Sequence, residues 1–142
     1  MNLIIIACVD EHSGMMFNDR RQSQDHVLQE QILHETQNNW LWMNPYSFKP
    51  FSKMKAENIV VDEDFLDKAA LHDYCFVENV NVYPYQDKIH RVILYKWNRT
   101  YPADFYFDLP LVAHQWSLVD TVDYKGHSHD KITKEIYEKC IK

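Results

Sequence analysis

Leu3-Ile4-Ile5-Ile6-Ala7-Cys8-Val9-Asp10 opens the chain with a continuous apolar run that ends on a carboxylate. A strand with one wet face alternates apolar and polar residues, so a run without alternation suits a strand buried on both faces at the centre of a sheet. Outward from it, strand and helix patterns take turns. After the loop through Gly14 and Asn18, Asp25 can cap a helix reaching about Thr36, because Val27, Leu28, Ile32 and Leu33 fall on one stripe. Residues 40–43 form a second strand, stopped by Asn44-Pro45, and residues 58–61 a third, leading into Asp62 as the cap of a short helix running to Leu71. Segments 74–77, 91–97, 116–122 and 133–139 bring the total to about seven strands, the last two spaced for an antiparallel return. No repeat, linker or low-complexity tract interrupts this pattern, which predicts a single α/β domain over residues 1–142.

A chain of 142 residues can bury one core, covering roughly 70% of the surface that its unfolded form exposes. Aromatic residues reach 14%, a high share, so aromatic bulk must fill space somewhere. The net charge of −6 and the absence of a basic stripe argue against nucleic acid or an anionic membrane as partner. No apolar run approaches the ~20 residues that span a bilayer. Cys8, Cys75 and Cys140 are odd in number and widely spaced, the pattern of reduced thiols in a cytoplasmic protein. Ile5-Ile6-Ala7-Cys8 matches a lipoprotein cleavage box only superficially, because the stretch before it is short and carries no basic residue. Asn98-Arg99-Thr100 is a formal glycosylation triplet that matters only on a secretory route.

The chain contains two glycines, Gly14 and Gly126, in a layout otherwise suited to a small nucleotide-using enzyme. Backbone amides approach a phosphate closely where glycine permits tight turns with positive φ, so a phosphate site is hard to build without it.

Taken in order, the residues resemble dihydrofolate reductase along nearly the whole chain, from Met1 to about Tyr137. Val9-Asp10 and Gly14-Met15 resemble the family's Val-Asp and Gly-Met after its first strand. Leu41-Trp42-Met43-Asn44-Pro45-Tyr46-Ser47-Phe48 is similar to Val-Ile-Met-Gly-Arg-x-Thr-Trp, and Glu57-Asn58-Ile59-Val60-Val61 to Lys-Asn-Ile-Ile-Leu. Phe76-Val77-Glu78-Asn79-Val80-Asn81-Val82-Tyr83 parallels Val-Ile-Gly-Gly-Gly-x-x-Tyr, Asp104-Phe105-Tyr106-Phe107 parallels Asp-Thr-x-Phe, and Trp116 falls at the family's late tryptophan. The resemblance implies a three-layer α/β/α fold whose mostly parallel sheet of seven or eight strands ends in an antiparallel hairpin. It also implies NADPH as cofactor and a folate-like small molecule as partner, with reduction of dihydrofolate to tetrahydrofolate as the reaction.

The positions that would carry this chemistry depart from the pattern. Asn44-Pro45 stands in place of Gly-Arg, and proline offers neither an amide donor nor a charge. Glu78-Asn79 replaces Gly-Gly, setting a carboxylate where the cofactor pyrophosphate would sit. Ser47 keeps the hydroxyl of the motif's threonine. The stretch between Val61 and Tyr74 is short for the adenine cradle, and Ala56 takes the place of the arginine that clamps the folate carboxylate. Asp25 is the candidate for the helix-borne acid, although a plain helix cap explains it equally well. Ile5, Ile6, Val77 and Tyr83 match substrate-pocket positions, and Tyr95 replaces a threonine that supports the pterin. His127-Ser128-His129-Asp130 could supply metal ligands, but beside Gly126 it reads as a polar turn, and no metal site is expected. Arg20-Arg21 reads as a short solvated basic cluster.

Two expectations follow. In the favoured one, the groove is filled by Trp40, Trp42, Tyr95 or their neighbours, reductase activity is weak or lost, and a binding or structural role remains. In the alternative, a working NADPH-dependent reductase compensates through atypical contacts.

Overall fold

The computed structural model describes residues 3–140; Met1 and Asn2, where the resemblance begins, lie outside them. In chain order the main elements are β1 (Leu3–Val9), β2 (Gly14–Phe17), β3 (Arg20–Arg21), α1 (His26–Glu35), β4 (Leu41–Met43), α2 (Pro45–Phe48), β5 (Ile59–Val61), α3 (Phe65–Lys68), β6 (Tyr74–Phe76), β7 (Ile89–Lys96), β8 (Phe105–Tyr106), β9 (Trp116–Tyr124) and β10 (Ile132–Lys139). Seven strands form the main sheet in the order β5-β4-β6-β1-β7-β10-β9. β1 lies at its middle, parallel to β6 and β7, and every residue but Cys8 is buried. Its unbroken apolar run is explained by two cores: Leu3, Ile5, Ala7 and Val9 enter one, while Ile4 and Ile6 enter the other. β10 runs antiparallel to both β7 and β9, which makes the C-terminal pair the expected hairpin-like return.

Helix α1 begins where the sequence places its cap. Asp25 Oδ1 accepts from the amides of Val27 at 2.9 Å and Leu28 at 3.3 Å, and Leu28 and Ile32 turn into the core. At its other end Thr36 Oγ1 donates to Ile32 O at 2.9 Å, while Asn58 Nδ2 donates to Thr36 O at 2.7 Å and ties the helix to the start of β5.

Several elements differ from the sequence reading. The helix expected over 62–71 shrinks to α3, because Asp62 does not cap it; its carboxylate accepts from the Asp64 amide at 2.7 Å and Lys68 Nζ at 2.8 Å. Asn44-Pro45 both stops β4 and starts α2, with Asn44 Oδ1 accepting from the Ser47 amide at 3.0 Å and Pro45 in the first turn, where a missing amide costs nothing. A second sheet, β3-β2-β8, went unread because its strands of two to four residues are too short to show a period.

Glycine also serves a different purpose from the one expected. Neither Gly14 nor Gly126 has a positive φ, whereas Ser13, Asn18, Asp19, His72 and Asn98 do. Polar side chains therefore carry the left-handed turns, and the glycines provide room. A Cβ on Gly14 would meet Gln22 Nε2 at 2.6 Å and Ala103 Cβ at 2.7 Å. That tight corner surrounds buried Asp10, whose carboxylate accepts from the amides of His12 and Gly14 at 2.8 Å each, Tyr101 at 3.1 Å, and from Gln22 Nε2 at 3.0 Å. Burial alone would raise the Asp10 pKa, but these donors together hold it below the ordinary carboxylate value.

Asp10→Ala leaves several donors around an emptied site, so it should destabilise the fold by at least about 2 kcal/mol, read as a lower urea midpoint with an unchanged slope. An unchanged midpoint would show that this carboxylate does not organise the corner.

Candidate functional site

The motif positions after β4 and β6 meet because these strands are parallel neighbours, with Leu41 opposite Tyr74. Asn44, Ser47, Glu78 and Asn79 are thereby brought together just past the C-terminal ends of the two strands, where open α/β sheets hold ligands. Their polar groups bond to one another. Asn44 Nδ2 donates to Asn79 Oδ1 at 2.8 Å, and Ser47 Oγ donates to Glu78 Oε1 at 2.8 Å. Arg21, delivered by β3, completes the cluster with Nε 2.9 Å from Glu78 Oε2 and Nη2 3.1 Å from Oε1, a bidentate pair. The same guanidinium lies 4.4 Å from the Tyr46 ring centroid and donates to Tyr46 O at 3.3 Å, while the Arg21 amide donates to Tyr46 Oη at 2.9 Å.

Arg21 is thus not a solvated charge; its side chain is 20% exposed and that of Glu78 11%. Burial would lower the Arg21 pKa, but the Glu78 carboxylate outweighs it and raises the value. The Glu78 carboxylate accordingly faces a cation of its own chain.

Asp25 anchors a second cluster. Besides capping α1, its carboxylate accepts from the amides of His127 at 2.9 Å and Ser128 at 2.8 Å, from Ser128 Oγ at 3.2 Å, and from His129 Nδ1 at 2.9 Å. Its side chain is wholly buried and that of His129 is 4% exposed. The approach depends on Gly126, since a Cβ there would stand 2.6 Å from Asp25 Oδ2. The His129 ring stacks on Trp97 with centroids 4.6 Å apart, and its Nε2 lies 3.0 Å from Ser23 Oγ and 3.3 Å from Tyr101 Oη. Burial pushes the Asp25 pKa up, but the His127 amide, the His129 ring and the amides of Ser128 and Leu28 prevail and hold it well below the usual carboxylate range. Of the 127–130 segment, considered above as a metal candidate, residues 127–129 direct donors to Asp25. Among the described residues no group of three or more His, Cys, Asp or Glu side chains is placed to hold a metal.

Between the clusters the groove is nearly closed. The space bordered by Cys8, Asp25, Leu28, Phe51, Phe76 and Trp97 has a volume of about 20 Å³, enough for about one water molecule. The edge-on pair Phe51–Phe76, with centroids 5.7 Å apart, supplies much of the filling. Tyr95 is fully buried in the same core as Ile6 and Phe76, and burial drives its hydroxyl pKa far upward. Ile5 and Val77 face the opposite core, and Tyr83 is 50% exposed, so the five substrate-pocket candidates do not share one cavity. Trp40 and Trp42 are corrected as groove fillers. Trp40 is 53% exposed, and Trp42 directs Nε1 to Asp73 Oδ2 at 2.9 Å. Larger hollows lie elsewhere: one of about 690 Å³ includes His34, Trp40, Lys55 and Ala56, and one of about 480 Å³ includes Tyr83, Trp116 and Lys139. Neither is lined by Asp25, Asn44, Ser47, Glu78 or Asn79.

Glu78→Gln should destabilise the fold by about 2 kcal/mol, because it strands a half-buried guanidinium. Chemical denaturation reads this, and Arg21→Lys should recover little of an Arg21→Ala loss, since an ammonium cannot make the bidentate pair. A carboxyl held below its unfolded value stabilises the fold at neutral pH, and that contribution fades as pH falls below the ordinary carboxylate range. Thermal melts at pH 6 and pH 3.5 should therefore differ less for Asp25→Asn than for the unaltered chain.

The sequence matches no protein-family model and no curated protein. Among solved structures, dihydrofolate reductase from Enterococcus faecalis complexed with NADP(H) and RAB-propyl is similar over 98% of this chain and 96% of its own, with a TM-score of 0.68 at 14% sequence identity. That likeness extends through the β9–β10 return, and with the strand order above it shows that this chain has a dihydrofolate reductase-like fold.

Proposed function

We propose that this chain is a divergent dihydrofolate reductase-like protein in which NADPH-dependent reduction of dihydrofolate is weak or lost, leaving a binding or structural role. The observation that carries this reading is the self-satisfied cluster at the four family cofactor positions. The side chains of Asn44, Ser47, Glu78 and Asn79 are bonded to one another or to Arg21, so this side-chain set is already committed within the chain. Admitting the cofactor would mean breaking the bidentate Arg21–Glu78 pair and then placing a phosphate against the released carboxylate. Each lost charge-assisted hydrogen bond is worth about 1.5–3 kcal/mol, so several together weaken binding by orders of magnitude.

The substrate side supports the same reading. A pterin cannot enter a space of about 20 Å³, and the Asp25 carboxylate, the candidate proton-relay acid, already accepts from the 127–129 segment. Its depressed pKa suits a permanent anion, whereas a general acid needs a pKa near the working pH. Absence of a membrane-crossing helix among the described residues is compatible with a cytoplasmic setting.

Calorimetric titration of the purified chain with NADPH and with an antifolate tests the proposal. Neither should give saturable heat with Kd tighter than about 1 mM, a binding energy of about −4 kcal/mol. Micromolar binding of both would overturn the proposal in favour of the alternative, a reductase with atypical contacts.

A further inference from the structure

Ser23, His129 and Asp25 stand in a line of hydrogen bonds that neither closure of the groove nor capping of α1 requires in full. Ser23 Oγ is 3.0 Å from His129 Nε2, and His129 Nδ1 is 2.9 Å from Asp25 Oδ2. The buried carboxylate accepts from Nδ1–H, which fixes the tautomer and leaves the Nε2 lone pair facing the serine hydroxyl. Stacking on Trp97 holds the imidazole plane. Ser23 itself is half-exposed in the loop before α1, whereas the base and its carboxylate are buried. A nucleophile within reach of solvent, a buried base and a third group orienting that base make up the arrangement that activates a hydroxyl.

We propose that Ser23 is a nucleophile, with His129 as its general base and Asp25 as the positioning residue, acting on small carboxylic esters that reach it from solvent. This activity is independent of the reductase question. The neighbouring space of about 20 Å³ cannot hold an acyl chain, which restricts the acyl group to a small one. In the first step Ser23 Oγ bonds to the ester carbonyl carbon while its proton passes to His129 Nε2. The tetrahedral oxyanion then collapses, the bond to the leaving alkoxide breaks, and the alkoxide takes the proton from Nε2. Water adds to the acyl-serine with the same base, releasing the carboxylic acid and restoring Ser23. Among the described residues the amides of Ser23 and Gln24 have no protein acceptor, so backbone donors remain for the developing oxyanion. Two other hydroxyls reach the ring, Tyr101 Oη at 3.3 Å from Nε2 and Ser128 Oγ at 3.2 Å from Nδ1.

The test is reaction of the full-length purified chain with a fluorophosphonate, which transfers its phosphonyl group to an activated serine as fluoride leaves, followed by peptide mass spectrometry. Label should map to Ser23, vanish in Ser23→Ala and form at least ~100-fold more slowly in His129→Gln. A folded Asp25→Asn chain should label Ser23 at least ~10-fold more slowly while its urea midpoint is read separately, because the imidazole loses the acceptor that holds Nδ1–H and so aims Nε2 at the serine. Absence of label on Ser23 in the unaltered protein overturns the proposal whether or not the variants fold. Labelling of Ser23 at an undiminished rate in a folded His129→Gln protein overturns it as well.

Discussion

The Asp25 carboxylate joins parts of the chain more than 100 residues apart. It caps α1 through the amides of Val27 and Leu28 and accepts from the 127–129 segment between β9 and β10. A buried carboxylate without these donors would be costly, and a loop bearing any side chain at 126 could not come close enough to supply them. One charge, one glycine and a run of backbone amides therefore fix the first helix against the C-terminal strand pair. His129 extends the joint to Trp97, Ser23 and Tyr101, so the same carboxylate also sets the orientation of the one imidazole on this side of the groove with a buried acid behind it.

The second cluster holds a carboxylate and a guanidinium together past the ends of β4 and β6. Glu78 sets a carboxylate at a largely buried position, which without a cation beside it would be costly. Arg21 resolves this from within the chain, reaching over from the small second sheet and lying on Tyr46. On the proposed reading, neutralisation by an internal cation, rather than repulsion alone, makes the loss of cofactor binding stable. Phe51, Phe76, Tyr95 and Trp97 place part of the aromatic surplus in the core beside the space of about 20 Å³.

The parts of the fold that were legible in the sequence are those whose pattern a buried sheet imposes. β1 declared itself by its unbroken apolar run, α1 by Asp25 and its stripe, and β9–β10 by their spacing. The short strands β2, β3 and β8 were not legible, since two to four residues carry no periodicity. At the site, the family resemblance grouped Asn44, Ser47, Glu78 and Asn79 as cofactor positions, and the structure brings them into contact. Arg21 was missed, because the partner of a charge more than 50 residues away leaves no local trace. The role of His129 was hidden for the same reason, although Gly126 beside a run of polar donors was a usable signal of close approach. Scarce glycine does not leave the left-handed turns unfilled, because in this chain they fall to Ser13, Asn18, Asp19, His72 and Asn98.

Occupation of the family cofactor positions by the chain's own ion pair is the claim on which the functional reading turns. Its most direct measurement is the nitrogen–proton spectrum of the Arg21 side chain in solution, followed as NADPH is added. The account predicts a distinct, slowly exchanging Nε–H resonance that disappears in Glu78→Gln and stays in place at millimolar NADPH. A saturating shift of that resonance at micromolar NADPH would show that the pair opens to admit the cofactor, and would contradict the account.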